Sequence, residues 1–378
     1  MPVVEKATIV ALKACGGYDD LAVQSAIDEI FARCGGIGAF VKPGQRVLVK
    51  LNLLMKRTPD QATTTHPAVA RAVVRALQRA GAVPILADSP GGPYTRGHLR
   101  GIYEACGMNA VAQETGCELN DDFSVTARYI PEGKAARQLD LIGVLDHVDA
   151  VITVGKLKTH GLTTMTGCVK NLYGTIPGTT KVEYHARYQD VALFSDMLLD
   201  ICQAVKPCFA ILDAVVGMEG EGPSGGRPRA IGALIGGENP HAVDAVGARL
   251  IGLVPRQVTT LEAAQKRGLL PEYEIAGDAL EPMIIRDFDI PMGLRRGSWV
   301  RMMNVLPQAF RPRPVFMHKK CDGCGTCVRA CPAKAIAMDD ARRPYVDVKK
   351  CIRCYCCQEL CPKNDVEVRR NPIFALLK

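Results

Sequence analysis

The chain has 378 residues, of which 48% are hydrophobic, and its formal net charge is +8. This length and hydrophobic share suffice for a packed core in one large domain or two ordinary ones. No stretch reaches the roughly 18 uncharged apolar residues of a membrane-spanning helix, which argues against an integral membrane protein.

Short apolar runs alternate with helical patterns over the first 290 residues, which indicates α/β layers around a mostly parallel sheet. Strands are predicted at 7–12, 46–51, 83–87, 149–154, 209–212 and 231–235. Helices are predicted at 20–34, 189–205, 240–251 and 259–267. A further helix is predicted to begin at His66 and Pro67, with Thr65 as its cap, and to end at Gly81.

Polar side chains follow four of these predicted strands. They are Lys50, Asn52, Asp88, Lys156, Lys158, His160, Asp213 and Glu219. In open α/β sheets, ligands bind in the crevice outside the carboxyl ends of the strands. The sequence therefore predicts that these side chains share one pocket.

The segment 156–174 is the most informative part of this pattern, because it contains three lysines and no acid. Lys156, Lys158, Lys170 and Asn171 can hold a carboxylate or phosphate through charge-assisted hydrogen bonds. His160 can donate or accept a proton near neutral pH. Composition alone does not separate this pocket from a basic loop whose lysines face water.

Two other cofactors were weighed for the large domain. Asp213, Glu219 and Asp244 could bind a divalent metal through oxygen ligands, although Asp244 can equally cap or pair within its helix. The glycine-rich stretch 217–226 matches no nucleotide-binding fingerprint in its required context. A divalent metal and a flavin therefore remain without support in the sequence.

Eight of the 16 cysteines form two copies of the spacing C-x2-C-x2-C-x3-C-P, at 321–332 and 351–362. This run holds a pair of [4Fe–4S] clusters in bacterial two-cluster ferredoxins, where the fourth cysteine of each run binds the other cluster. By that rule, the first cluster has the ligands Cys321, Cys324, Cys327 and Cys361. The second has Cys351, Cys354, Cys357 and Cys331.

Zinc is the main alternative for these cysteines, but zinc sites normally use two C-x2-C pairs per metal. Two complete runs that each end in Cys-Pro favour clusters. Cys356 is a ninth thiol in the second run. Only Cys357 keeps both spacings, so Cys356 is interpreted as a bystander, with a ligand swap as the open alternative.

The positive charge is concentrated near the cysteines. From Arg295 onward there are 18 Lys and Arg against 7 Asp and Glu, whereas the preceding residues hold 29 against 32. Such a stretch can bind nucleic acid or an anionic membrane, but it also offsets the negative charge of thiolate-bound clusters. Trp299 is the only tryptophan, and this lack of aromatic interleaving argues against nucleic acid.

The large domain resembles the family catalogued as domain of unknown function number 362, often fused to a ferredoxin-type module. The resemblance covers roughly residues 5–255 and rests on five motifs in order: Lys50-Leu-Asn52, 156–160, 170–174, 213–223 and 241–245. It implies an iron–sulfur protein and supports both the domain boundary and the importance of the basic segment. It implies no particular reaction.

The sequence thus predicts an α/β domain at 1–290, a linker at 291–312, a small α+β two-cluster ferredoxin-like domain at 313–370 and a tail at 371–378. The leading hypothesis is an iron–sulfur oxidoreductase in which two clusters relay electrons to an anionic small molecule. In it, His160, Lys158, Lys170 and Asp213 are catalytic, and Lys50, Asn52, Lys156, Lys158, Asn171 and Glu219 bind the ligand.

Two alternatives stay open at this point. The protein can be an electron-carrier subunit that docks on a partner enzyme, or a non-redox binding protein with structural or sensory clusters. Its expected partners are an electron donor or acceptor protein, or a small reductant, together with the anionic ligand. The many cysteines and an N-terminus without a signal-peptide pattern predict a cytoplasmic location.

Overall fold

A computed structural model of the protein describes residues 7–290 and 312–369. Residues 7–290 form a large α/β domain with a mostly parallel sheet, and residues 312–369 form a small domain of short strands and helices. The predicted fold class is therefore confirmed. The predicted linker, apart from its last residue, and the predicted tail lie outside the described residues.

The strands of the large domain set the frame of the site. They are β1 Thr8–Ala14, β2 Arg46–Leu51, β3 Val83–Ala87, β4 Glu118–Leu119, β5 Val125–Tyr129, β6 Gln138–Ile142, β7 Ala150–His160, β8 Thr164–Thr166, β9 Phe209–Glu219, β10 Arg227–Gly237 and β11 Tyr273–Gly277.

Helices connect and cover these strands. They are α1 Asp20–Arg33, α2 Pro67–Arg79, α3 Arg96–Ala105, α4 Met108–Thr115, α5 Cys168–Asn171, α6 Thr180–Arg187, α7 Val191–Val205, α8 Pro240–Leu250 and α9 Thr259–Lys266.

The main sheet has nine strands, in the order β11-β1-β10-β9-β7-β2-β3-β4, with β8 paired to the far end of β7. The central strands β9, β7, β2 and β3 run parallel, whereas β10 is antiparallel to both of its neighbours. The carboxyl ends of the central strands therefore meet at one edge of the sheet, where the candidate site lies.

Both faces of the sheet are buried, as expected for parallel strands. In β2, Val47 and Val49 pack in the cluster that contains α1 and α2, while Leu48 packs in the cluster that contains α7. This alternation follows from the two-residue period of a strand. Helix α8 covers the β9–β10 part of the sheet, where Val243 and Val246 pack near Leu212.

Two strands that carry predicted site residues are longer than the sequence predicts. Strand β7 continues past Val154 to His160, and β9 continues past Leu212 to Glu219. The two extensions stay hydrogen-bonded to each other across a register shift between Lys156 and Lys158. The sequence places their polar residues after the strands, but these residues are buried within the strands, and their polar groups have partners inside the protein.

The start of α2 also differs from the prediction. The N-cap is His66, whose Nδ1 accepts a hydrogen bond from the Ala68 amide at 3.2 Å. The predicted cap, Thr65, instead donates its hydroxyl to the Val154 carbonyl at 2.9 Å and accepts the Asn52 amide at 2.9 Å. Thr65 therefore ties β2 to β7 beneath the site.

The small domain repeats a simple plan around its two cysteine runs. Its elements are β12 Arg313–Phe316, α10 Thr326–Arg329, β13 Ile336–Met338, β14 Pro344–Val346, α11 Cys356–Glu359 and β15 Val366–Arg369. Strand β12 pairs with β15, and β13 pairs with β14, both antiparallel. A minimal core of Phe316, Ile336 and Val366 packs beside cysteine side chains.

Across residues 7–290 and 312–369, none of the helices combines the length and apolar character needed to cross a membrane.

Candidate functional site

The cysteines of the small domain surround two separate cavities. One is lined by Cys321, Cys324, Cys327 and Cys361, and the other by Cys331, Cys351, Cys354 and Cys357. The fourth cysteine of each run thus faces the cavity of the other run, in the arrangement that the spacing predicts. Four thiols around one cavity match the ligand requirement of a [4Fe–4S] cluster, so the residues present fit this cofactor.

The ninth thiol lies elsewhere. Cys356 is buried, at 3% exposure, and lines a third cavity that lies between the two domains. Helix α11 forms one wall of this cavity with Cys356, Glu359 and the following Leu360. Its second residue, Cys357, lines the second cysteine cavity. The small domain therefore contributes directly to a site at the sheet edge.

The interdomain cavity has a volume of about 80 Å³, enough for several waters or a small ligand. Its large-domain walls come from the ends of β2 and β3, from β7 and β8, and from α5 and α6. The predicted pocket residues that reach it are Asn52, Asp88, Lys158, Lys170 and Asn171.

Polar contacts fix α11 against the large domain. The Glu359 Oε1 lies 2.9 Å from His160 Nε2, and the Gln358 amide nitrogen donates to the Glu221 carbonyl at 2.7 Å. Next to the helix, the Arg57 guanidinium donates to Asn364 Oδ1 at 2.6 Å. Gln358 and Glu359 are both buried by this packing. These contacts therefore fix the position of α11, the wall that carries Cys356.

His160 serves this contact and does not line the cavity. Its Nδ1 accepts hydrogen bonds from the amides of Leu162 and Thr163, so the neutral ring carries its proton on Nε2, which faces Glu359. Burial and nearby Lys170 lower the pKa of His160 to about 4, although Glu359 acts to raise it. The ring is therefore neutral at pH 7 and contacts Glu359, whereas the predicted proton transfer by His160 stays a prediction.

Three lysines give the cavity its charge. Lys158 donates to Asn52 Oδ1 at 2.9 Å and to the Thr63 carbonyl at 2.7 Å. Lys181 donates to Ser89 Oγ at 3.2 Å, and the Lys170 ammonium lies 5.8 Å from the centre of the Tyr173 ring. Among the described residues, none of the three lysines has a carboxylate within ion-pair distance. The solvated-loop alternative is wrong for Lys158, which is 1% exposed.

Burial has a marked effect on two of these ammonium groups. It lowers the pKa of Lys158 to about 7, and the charges of Lys170 and Lys156 act in the same direction. Burial also lowers the pKa of Lys181 to about 7, against the opposing charge of Asp88. Both groups can therefore gain or lose a proton near neutral pH, and an anion in the cavity would favour their charged forms.

Lys50 lies behind the cavity wall instead of on it. Its ammonium forms a buried ion pair with Asp88 at 2.8 Å and donates to the Leu51 carbonyl at 2.6 Å. Asn171 donates to the Lys50 carbonyl at 2.9 Å and accepts from Asn52 at 3.2 Å. Lys50 thus supports the two asparagines that face the cavity, and we assign it this structural role instead of ligand binding.

Lys156 and Asp213 form a second buried network away from the cavity. Lys156 Nζ lies 2.9 Å from Asp213 Oδ2 and donates to the Tyr18 hydroxyl at 2.6 Å. Tyr18 donates to Asp213 Oδ1 at 2.9 Å, and its ring stacks on His66 at 3.5 Å. This ion pair joins β7 and β9 to the first turn of α2, and neither Lys156 nor Asp213, the predicted binding and catalytic residues, lines the interdomain cavity.

The other predicted carboxylates are also engaged by different partners. Glu219 accepts from Arg227 Nε at 3.0 Å and from the Asp289 amide at 2.9 Å. Asp244 accepts the amides of Cys168 and Val169 at 2.5 and 3.1 Å, and so caps α5. Within residues 7–290, no three His, Cys, Asp or Glu side chains are grouped so that they could hold a single metal ion. Glu219, a predicted ligand-binding residue, thus lies outside the interdomain cavity.

Sequence reasoning missed several residues that line the cavity, among them Lys181, His185 and Glu359. A signal for two of them was present. Lys181 and His185 are four residues apart in α6, so they lie on one helix face. Glu359 had no such signal, because its position depends on how the two domains pack.

Gly174 gives a direct test of the packing behind the cavity. A Cβ atom at this residue would lie 2.1 Å from Asp88 Oδ1 and 2.5 Å from Lys50 Nζ. We expect Gly174→Ala to displace the buried ion pair and to lower the free energy of unfolding by about 1–3 kcal/mol. Thermal unfolding measures this loss.

Gly97→Ala is the matched control for Gly174→Ala. Gly97 lies in α3, with no atom within 4 Å of an added Cβ, so the change should stabilise that helix by roughly 0.5–1 kcal/mol. Equal melting temperatures for the two variants would contradict the packing described for Gly174.

Comparison with known proteins agrees with this division of the chain. Residues 47–249 match the family model described as domain of unknown function (DUF362), and residues 313–362 match a 4Fe-4S dicluster domain. A thylakoid-associated protein from Synechocystis is 34% identical over 263 residues, which cover 69% of this chain and 80% of that protein.

Two solved structures are more distant. The lactate racemase apoprotein from Thermoanaerobacterium thermosaccharolyticum is 12% identical with a TM-score of 0.40, and the match covers 64% of this chain and 56% of that one. A protein from Thermotoga maritima is 12% identical with a TM-score of 0.37, over 68% of this chain and 61% of that one. The chain thus spans less than two thirds of the length of either protein.

The first family model covers more than half of the chain, and the Synechocystis relative is matched over most of its length. The dicluster model covers the two cysteine runs. The protein therefore belongs to the DUF362 family and carries a C-terminal 4Fe-4S ferredoxin-type domain.

Proposed function

We propose that this protein is an iron–sulfur oxidoreductase that passes electrons to a small organic anion bound in the interdomain cavity. One observation carries the proposal. Helix α11 places Cys356 and Glu359 on the cavity wall. Cys357, which directly follows Cys356, faces the second cysteine cavity. The ligand site and the proposed second cluster thus share one short helix.

The cofactor in this proposal is a pair of [4Fe–4S] clusters. Cys321, Cys324, Cys327 and Cys361 would hold the first, and Cys331, Cys351, Cys354 and Cys357 would hold the second. Such clusters supply single electrons, so a two-electron reduction of the ligand takes one electron from each and two protons. Reducing surroundings suit this chemistry, and a cytoplasmic location is part of the proposal.

The charge of the cavity supports an anionic ligand. Its two carboxylates are already engaged, Asp88 by Lys50 and Glu359 by His160. Lys158, Lys170 and Lys181 therefore leave an excess of positive charge around a small buried volume. Charged hydrogen bonds to a carboxylate or phosphate are the contacts that such groups favour.

A further donor points to the same site. The Thr166 hydroxyl is 3% exposed, lines the cavity and has no hydrogen-bond partner among the described residues. A buried hydroxyl without a partner costs free energy, which a ligand oxygen would recover. The side chains of Asn52 and Asn171 add polar groups beside it.

Lys158 is the proposed proton donor. Its pKa of about 7 allows it to hold a proton at neutral pH and to release it readily. Its ammonium group donates to Asn52 and to the Thr63 carbonyl, which fixes it on the cavity wall. The third proton of the group is then directed towards a bound ligand. Solvent supplies the second proton of a two-electron reduction.

The test is an oxygen-free reaction of the dithionite-reduced holoprotein with a panel of small carboxylates that carry a reducible carbonyl or double bond. We expect at least one of them to reverse the loss of absorbance near 400 nm. Lys170→Ala should slow this reoxidation about 10–100-fold, the effect of losing one charged hydrogen bond. Arg256→Gln, an exposed change in the large domain, is the control.

Two outcomes would overturn the proposal. One is full turnover of the ligand by a Cys351→Ala/Cys354→Ala variant without its second cluster. The other is reoxidation at the same rate in the wild-type protein and in Lys170→Ala for every compound that reacts.

A further inference from the structure

The two cysteine cavities differ in their access to solvent. In the first, Cys324 is exposed, whereas in the second Cys357 is 5% exposed and lies within helix α11, which packs on the large domain. The small domain therefore has an outer end at Cys324 and an inner end at the interdomain cavity. If electrons reach the cavity through this domain, the outer end is the accessible entry point.

Basic side chains contact the loop that carries Cys324. Arg342 donates to the Gly323 carbonyl at 3.1 Å, and Arg329 donates to the Thr326 hydroxyl at 3.4 Å. Lys363 forms an ion pair at 3.3 Å with Asp322, the one acid between Cys321 and Cys327. The cations are exposed, and these contacts hold them around the outer thiol.

The basic surface extends along the chain on the amino side of this loop. Lys319 and Lys320 are both exposed and directly precede Cys321. We call the exposed side chains of Lys319, Lys320, Arg329, Arg342 and Lys363 the entry surface. It contains five cations around one ligand loop, and Asp322, the one acid within residues 321–327, is already paired.

We propose that the entry surface docks a small acidic protein that carries one electron at a time, so that electrons enter at the first cluster and leave at the interdomain cavity. This inference rests on the proposed function and adds the partner and the direction of flow. In each encounter the carrier is oxidised by one electron and the first centre is reduced by one, with no proton or group transferred.

The chemistry of the surface favours this partner. A ring of cations attracts an acidic protein over a range set by the ionic strength and increases the rate of encounter. Residues 319–330 contain no aromatic side chain, so the loop lacks the stacking platforms of single-stranded nucleic-acid sites. Because Cys324 is exposed at the centre of the entry surface, a carrier docked there lies next to the first ligand set.

Cations can also be present only to offset the charge of the clusters. That alternative predicts that neutralising them changes the cluster spectrum or reduction potential and leaves protein binding as it was. Docking predicts the reverse, because the affected side chains point into solvent. The two interpretations are thus separable by experiment.

The experiment is titration calorimetry of the oxidised holoprotein with an oxidised acidic [2Fe–2S] ferredoxin as the probe. We expect Arg329→Gln/Arg342→Gln to weaken binding about 10-fold near 0.05 M salt, with the difference almost lost near 1 M, where screening is nearly complete. Arg256→Gln, an exposed arginine of the large domain, should bind like the wild-type protein.

Because Arg329 and Arg342 touch the ligand loop, Lys319→Gln/Lys320→Gln serves as a second variant, and iron content is measured for both. Binding that is equal in all four proteins overturns the inference, as does a shifted cluster spectrum with unchanged binding. Tighter binding of a DNA oligonucleotide than of the ferredoxin also overturns it. In each case the anion-dependent reoxidation proposed above can still succeed, so the two failures are distinguishable.

Discussion

Replacing Asp213 with alanine should lower the free energy of unfolding by about 3–5 kcal/mol, the usual cost of leaving one member of a buried ion pair without its partner. The Lys156 ammonium would lose the carboxylate that it pairs with at 2.9 Å while it remains buried, and the His66 amide would lose its acceptor at 3.0 Å. Chemical denaturation with a fluorescence or circular dichroism readout measures the loss.

The double variant Lys156→Met/Asp213→Leu is the matched control. It removes both charges and leaves apolar groups of similar size, so we expect it to recover most of the lost stability. Asp213→Ala should still bind an anion in the interdomain cavity, because Asp213 does not line it. Normal stability with abolished turnover would instead restore a catalytic role to Asp213.

The affinity of the cavity for an anion should fall steeply as the pH rises above about 7. In the free protein, burial lowers the pKa values of Lys158 and Lys181 to about 7, whereas a bound anion raises them again. Both lysines are charged below pH 7, where the affinity is fully present. Above pH 7 each lysine must take up a proton on binding, which costs up to about tenfold in affinity per pH unit.

Calorimetric titration with sulfate between pH 6 and 9 measures this dependence, because sulfate itself does not titrate there. Two lysines predict a slope of the logarithm of the association constant that approaches −2. Lys181→Met should reduce the slope towards −1 and preserve the fold, since Lys181 is a half-buried residue of the wall. A pH-independent affinity would show that neither lysine changes its protonation on binding.

The sequence predicts the regular parts of this fold well. The predicted bounds of β2 and β3 match the observed ones, because apolar runs with clear ends follow from burial on both faces of a sheet. The predicted end of β7 at Val154 is six residues short. Polar residues normally mark a strand end, but here Lys156 and Lys158 are buried and matched by internal partners.

The site itself was predicted only in part. Asn52, Asp88 and Lys158 reach the cavity as the strand-end argument expects, and Lys170 and Asn171 reach it from the basic segment 156–174. Lys50, Lys156 and Asp213 lie near the cavity residues in the sequence or in the sheet, but their side chains form ion pairs inside the domain. Which member of a group of lysines faces a ligand depends on the position of its counter-ion, which no local pattern encodes.

The contribution of the small domain could not be predicted from local patterns. Cys356 looks like a duplicate of Cys357 in the sequence, and only the packing of α11 on the large domain shows that the two thiols face different cavities. The contact between Glu359 and His160 joins residues that are far apart in the chain. Such contacts follow from the fit of two folded surfaces.

The central claim is that a ligand in the lysine-lined cavity lies next to the second ligand set. Pulsed electron–nuclear double resonance of the reduced holoprotein in phosphate tests it most directly, since phosphorus-31 near a paramagnetic cluster gives a hyperfine coupling. We predict a coupling to one of the two clusters, lost in Lys170→Ala but retained in Arg256→Gln. A wild-type spectrum without phosphorus coupling, although calorimetry shows phosphate bound in the cavity, would contradict the account.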